Sequence, residues 1–424
     1  MLDALFARID DQAEALIALT QDLVRIPTVN PPGGGYEACA GFLGERLEGA
    51  GFQVEYIRAE GEIGDSAPYP RTNVVARLEG AGPGRTVHFN GHVDVVEAGL
   101  GWTVEPFDGI VKGGRIYGRG TCDMKAGIAA SVIALEAILA EGISFNGALE
   151  ISGTVDEESG GYAGVAHLAR KGFFSRPRVD HVIIPEPLNV DRICIGHRGV
   201  WWAEIETFGK IAHGSMPFLG DCAIRHMGAF MRRLEDQLLP ALAARRTGMP
   251  VVPEGARQST LNLAAVHGGL PEVIDGLPSP NVSDRCRMLL DRRFPIEEAL
   301  DDVKAEIVAI LDDLTRSRPG FRYAVKDVME VMPTLTPDDA DVVQAVAESV
   351  SQVLGRQPEL IVSPGSYDQK HVHRIGHLEE CIAYGPGILD LAHQPDEYVE
   401  IDHLIASTKV MAASALRLLG VPVH

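Results

Sequence analysis

The sequence predicts an α/β protein with a mostly parallel sheet, interrupted by a smaller α+β domain. Three observations carry that prediction. Strand-length apolar runs alternate with helical stretches from the amino end to about Gly196. From "GVWWAEIETFG" onward the order becomes strand, helix, strand, strand, helix, the pattern of a ferredoxin-like unit with an antiparallel sheet. Beyond about Phe321, helices and short strands resume. The chain therefore reads as a discontinuous first domain, residues 1–197 with 317–424, and an inserted second domain, residues 198–316.

The elements follow in order. A first helix runs from about Leu2 to Val24 and stops at "IPTVNPPGGG", where proline and glycine forbid continuation. The helix "YEACAGFLGERLEGAG" leads to strands at "FQVEYIR" and "TNVVARLEG". "RTVHFNGHVDVV" is an apolar run of the kind buried on both faces of a sheet. A long apolar helix, "MKAGIAASVIALEAILAEG", precedes the strand "GALEISGTV"; the helix "YAGVAHLARKG" precedes the strand "HVIIPEP". In the inserted domain, "AIRHMGAFMRRLEDQLLPALAA" and "IEEALDDVKAEIVAILDDLTRS" are helices, and "TLNLAAVHGG" and "RCRMLLDRRF" are strands. "DHLIASTKVMAASALRLLG" forms a last helix.

Composition narrows the partners. A net charge of −21 repels nucleic acid and anionic membrane, so neither is expected as a partner. No run reaches the eighteen or so apolar residues of a membrane span. Six scattered cysteines, with no C-x-x-C pair, suit a reducing compartment, and the amino end lacks the basic start and apolar core of a signal peptide. The expected location is cytoplasmic.

In open α/β sheets, ligands gather at the carboxyl ends of the strands. Five segments there carry residues suited to a divalent cation. "GTVDEESGG" sets Asp156, Glu157 and Glu158 side by side after a strand, and clustered carboxylates need water, a proton or a cation to relieve their repulsion. A solvated turn is the plainer alternative. "HFNGHVDVV" presents His92, with Asp94 two positions on and placed to fix its other ring nitrogen; a core histidine would look the same. "GRGTCDMKAG" supplies Asp123, which also reads as a helix N-cap. "IIPEPLN" supplies Glu186 and "LDLAHQPDEYV" supplies His393. Mixed nitrogen and oxygen donors suit zinc, with cobalt or manganese as alternatives. Five ligands exceed the needs of one catalytic zinc, and a two-metal site with a shared carboxylate uses them all.

The segments "FNGHVDVVEAG", "GWTVEPFDGIVKGGRIYGRGTCDMKAGIAA", "GTVDEESGG", "IIPEPLN", "GHRGVWWAEIETFGKIAHGS" and "HQPDEYV" occur in this order along nearly the whole chain. Together they resemble the metal-dependent hydrolases that include acetylornithine deacetylase, succinyl-diaminopimelate desuccinylase, aminoacylase and glutamate carboxypeptidase. The resemblance implies a zinc-peptidase-like catalytic domain and an inserted lid domain that forms a homodimer. It implies His92 and Glu186 on one metal, Glu158 and His393 on the other, and Asp123 bridging them. It further implies Glu157 as general base, Asp94 orienting His92, and a cis Asp123–Met124 peptide. His213 in "KIAHGSMP" is implied as the oxyanion donor, although a surface histidine in a glycine loop is the plainer reading. Arg293 in "LLDRRFP" is implied to grip a substrate carboxylate, with Arg292 as an alternative and Asn262 as a further contact. Gly385 in "YGPG", a loop that resembles the family's only loosely, is a candidate contact for which a turn glycine is the plainer reading. "NVSD" at Asn281–Asp284 replaces the family's N-x-x-P and is one residue shorter, which leaves the register of that loop open.

The expected activity is hydrolysis of the amide bond of an N-acyl amino acid or small peptide bearing a carboxylate. Hydrolysis of another C–N bond, or a non-catalytic scaffold, are the alternatives. Asp156 is expected in a turn or behind the ligands, and His371, His373 and His377 on a solvated helix face.

Overall fold

Alternating apolar runs and helices build the framework expected for the first domain, and the computed structural model describes residues 1–270 and 280–423. Two compact units result. The first comprises Met1–Gly196, Thr336–Ile361 and Tyr367–His424, and the second His197–Leu335 and Val362–Ser366.

The sheet of the first unit runs in the order Gln53–Arg58, Thr72–Glu79, Ala148–Thr154, Thr86–His92, His181–Ile184, Cys381–Ala383, Arg192–His197. Its centre is parallel: Thr86–His92 pairs in that sense with both Ala148–Thr154 and His181–Ile184, and the latter with Cys381–Ala383. Antiparallel pairing at both edges makes the sheet mixed. Thr86–His92 and Ala148–Thr154 are buried along their whole length, as their apolar runs require. The parallel strands end on one side of the sheet, where His92 closes its strand and the loops that follow carry Asp94, Glu157, Glu158 and Glu186.

The helix Lys125–Ala140 is buried almost all round, packed against the sheet and against the helices Ala13–Val24 and Ile401–Leu418. The amino-terminal helix is two helices, Leu2–Asp11 and Ala13–Val24, because the backbone leaves helical geometry at Gln12. A small sheet of Ile110–Lys112, Arg115–Tyr117 and Tyr398–Glu400 ties the chain near His393 to the chain near Asp123.

The second unit holds one antiparallel sheet in the order Thr260–Gly268, Arg285–Phe294, Gly199–Phe208, Arg322–Val331, covered by the helices Ala223–Arg233 and Leu300–Ser317. The fourth strand, Arg322–Val331, carries this unit past residue 316. It pairs antiparallel with Gly199–Phe208 over nearly its full length. Its strand period is weak because it is a largely exposed edge, with polar residues on both faces. No disulfide joins the six cysteines. Among the described residues no helix is long and apolar enough to cross a membrane.

Candidate metal centre

Five residues converge in the first unit. His92 Nε2 lies 3.0 Å from Asp123 Oδ1 and 3.8 Å from Glu186 Oε1. On the other side of Asp123, His393 Nε2 lies 3.6 Å from Oδ2 and 3.1 Å from Glu158 Oε1. Two triads result, His92–Asp123–Glu186 and Asp123–Glu158–His393, each with ligand atoms within 4.8 Å of one another. Asp123 belongs to both.

Each donor is held by its own local structure. His92 ends a fully buried strand, and its Nδ1 lies 3.0 Å from the Asp94 carbonyl oxygen and 3.6 Å from Asp94 Oδ1. The Asp94 carboxylate does more than face the ring. It accepts hydrogen bonds from the Glu157 and Glu158 amides at 3.2 and 3.1 Å, and from Asn30 Nδ2 at 3.1 Å. One acid thereby fixes both the histidine and the acidic turn.

Asp123 stands just before the helix Lys125–Ala140, and its peptide to Met124 is cis. Its side chain faces the two histidines; the loop amides are satisfied elsewhere. Glu397 Oε1 accepts from the amides of Gly120, Cys122 and Asp123 at 3.0, 2.8 and 3.1 Å, and Glu397 is itself paired with Arg119. Glu186 follows the strand His181–Ile184, and glycines press against its backbone. A Cβ on Gly385 would stand 2.5 Å from the Glu186 carbonyl oxygen, and one on Gly127 would stand 2.1 Å from that of Pro185. Gly385 is thus required by packing behind Glu186, a reason distinct from the substrate contact expected for it.

The three acids of the turn have three different partners. Asp156, at φ 62°, takes a salt bridge from Arg71 at 2.9 Å and a hydrogen bond from Tyr36 Oη at 2.9 Å. Glu157 receives Lys370 Nζ at 3.1 Å, and Glu158 meets His393. A solvated turn is therefore excluded: Asp156 is buried and the Glu157 and Glu158 side chains are only 11% and 8% exposed.

The electrostatics show a shortage of positive charge. Burial pushes the Glu158 carboxyl up to about 7, with Asp123 adding to the effect against His393. Burial and then Asp123 hold Glu186 well above the usual carboxylate range. His393 is pushed up to about 9, chiefly by its hydrogen bond to Glu158. Carboxylates this close, and this reluctant to share the site as anions, form with the two imidazoles a donor set that fits two divalent cations.

The solvated face expected at His371, His373 and His377 is only partly observed: His371 is buried, His373 is half-buried, and His377 is exposed but lies beyond the helix. The helix Gln369–Arg374 buries Gln369, Lys370 and His371, and His371 Nε2 reaches the Gly160 carbonyl oxygen at 2.7 Å. Sequence reasoning also missed Lys370, Asp368 and Glu397. Their burial is the signal that separates them, and burial is visible only in three dimensions.

The remaining candidates lie in the second unit. His213 is exposed, and its Nδ1 accepts from the Ser215 amide at 3.1 Å and pairs with Ser215 Oγ at 2.7 Å. Its backbone bridges to Asn281, which sets the register of the shortened "NVSD" loop. Arg293 is held by Asp291 through two contacts, at 2.6 and 3.1 Å, and Asn262 is the cross-strand neighbour of Asp291. Arg292 is fully buried and paired with Glu298, which removes it from consideration as a substrate contact.

The model of peptidase family M20/M25/M40 matches residues 88–417, a span that includes both triads. The chain is similar to the succinyl-diaminopimelate desuccinylase of Nitrosospira multiformis, with 30% identity over 397 residues, 92% of this chain and 94% of that protein. It is also 30% identical to the acetylornithine deacetylase of Myxococcus xanthus over 378 residues, 88% of this chain and 90% of that one. Human carnosine dipeptidase 1 shares the fold, with a TM-score of 0.78 at 19% identity over 99% of both chains. The chain belongs to peptidase family M20/M25/M40.

Proposed function

We propose that this chain, by its family a metal-dependent hydrolase of C–N bonds, cleaves the amide of an N-acyl amino acid or small peptide-like substrate bearing a carboxylate. The observation that carries the reading is the sharing of Asp123 by two ligand triads, with Glu157 beside them and in neither. We assign His92 and Glu186 to one cation, Glu158 and His393 to the other, and Asp123 to both. Zinc is the first choice, and cobalt or manganese suit the same donors. When bound, such ions polarise a carbonyl and lower the pKa of water from about 16 toward about 7.

Glu157 is assigned as the general base. It takes one proton as the water oxygen adds to the carbonyl carbon, and delivers that proton to the nitrogen as the C–N bond breaks. The products are a carboxylate and an amine. Asp94 keeps His92 and the acidic turn in fixed relation. His213 is assigned to the developing oxyanion, and Arg293, Asn262 and Gly385 to substrate binding, with the guanidinium of Arg293 suited to a carboxylate. The desuccinylase and deacetylase relatives support an N-acyl substrate with a free carboxylate. A cytoplasmic homodimer formed through the second unit completes the reading.

The test is amine release from N-acetyl and N-succinyl amino acids and dipeptides after reconstitution with zinc, cobalt or manganese. Turnover that depends on the added metal is expected. No bound metal and no turnover on any member would make the chain a non-catalytic homologue.

A further inference from the structure

A buried cation stands beside Glu157, and the reaction scheme makes no use of it. Lys370 lies on the helix Gln369–Arg374 with its side chain 5% exposed, and its Nζ donates to Glu157 Oε1 at 3.1 Å. Among the described residues no hydrogen bond reaches Glu157 Oε2. The same turn of chain grips the neighbourhood twice more. His371 holds the Gly160 carbonyl oxygen, and Asp368 accepts from Asn90 Nδ2 at 3.3 Å, two residues before His92.

An ammonium taken out of water carries a large desolvation cost, and an apolar side chain of similar length fills the same space without it. Packing alone therefore does not account for a lysine here. What the ammonium adds is direction, since Glu157 has ligand triads on one side and a flexible side chain with which to reach them. Its neighbour Glu158, without a lysine, faces His393.

We propose that Lys370 is a positioning residue for the general base. It pins Oε1 of Glu157, keeps that carboxylate from turning into the ligand triads, and leaves Oε2 as the oxygen that takes the proton. The inference rests on the reading of Glu157 as general base.

The test compares metal-loaded wild type with Lys370→Met and Lys370→Arg, by crystal structure, metal analysis and kinetics with N-acetylornithine as probe. Lys370→Met is expected to keep its metal complement and KM, to lose about 10- to 100-fold in kcat, and to show Glu157 displaced. Lys370→Arg is expected to restore the Glu157 orientation and most of kcat. In a Glu157→Gln background, Lys370→Met should cost nothing further. Unchanged Glu157 orientation in Lys370→Met, or loss of metal from it, overturns the inference. An inactive Glu157→Gln beside a fully active Lys370→Met overturns the inference alone, whereas a fully active Glu157→Gln overturns the base assignment and the inference with it.

Discussion

Glu150 lies toward the amino end of the strand Ala148–Thr154, fully buried, and meets His88 Nδ1 at 2.8 Å, Arg178 Nη2 at 2.9 Å and Arg77 Nη1 at 3.2 Å. Past the carboxyl end of the same strand, Glu158 is nearly as secluded, and its partners are His393 and the shared Asp123. Burial opposes ionisation of both. At Glu150 the contacts with His88 and Arg178 outweigh it and hold the carboxyl below its usual value; at Glu158 they do not, and the group rises to about 7. Seclusion is common to the two sites, and the supply of guanidinium is what separates them. At one end of the sheet the chain neutralises its own acid. At the other it offers imidazoles and more carboxylates, a set completed by protons or by cations from outside.

The largest effect expected from this contrast is chemical. Glu157→Ala should lower kcat by about a hundred- to ten-thousand-fold while metal content stays at the wild-type level. Glu158→Ala should lose metal. Steady-state rates combined with metal analysis by mass spectrometry read both, and an exchange of the two phenotypes would reverse the assigned division of labour between adjacent glutamates.

A smaller effect belongs to the balanced end. Glu150→Gln leaves Arg77, Arg178 and His88 without their shared anion, and urea unfolding should show about 1–3 kcal/mol less stability. Both arginines are partly exposed, so water relieves part of the loss. Metal content and kcat should not change. A Glu150→Gln variant that lost metal would break the comparison between the two ends.

The smallest effect is a slope. Without metal, Glu158 is raised from 4.5 to about 7 and His393 from 6.5 to about 9. Both shifts mean that the folded chain holds protons the unfolded chain has released. Their stabilisation is complete below the unfolded values and disappears as pH rises through the folded ones. Thermal unfolding of the metal-free protein should therefore shift to lower temperature between about pH 5 and pH 9. Zinc should cancel or reverse that slope, because its ligands bind deprotonated. A metal-free protein whose Tm rose across this range would contradict the charge shortage at the site.

His92, Glu158 and Glu186 were legible because residue type coincides with a strand end, and strand ends can be read from apolar runs. Asp123, before a helix, and His393, in a late loop, carry no such mark, and the sharing of the five between two cations came from the family resemblance. Asp156 separated less cleanly from its neighbours, since its partner Arg71 lies 85 positions away and no local pattern announces it. Lys370 was hidden in a short, polar-looking helix, whose burial arises from packing against the acidic turn. Glu397 was hidden for the same reason: it acts on amides near Asp123, at the far end of the chain. In the second unit, the exposed edge strand Arg322–Val331 has too weak an alternation to mark itself, so the unit extends beyond the end its pattern suggested.

The most direct test of the central claim is anomalous diffraction from crystals of the zinc-loaded protein, recorded on both sides of the zinc absorption edge. Two peaks are expected, one among His92, Asp123 and Glu186 and one among Asp123, Glu158 and His393, with Asp123 between them and Glu157 bound to neither. Peaks elsewhere, or a peak ligated by Glu157, would contradict it.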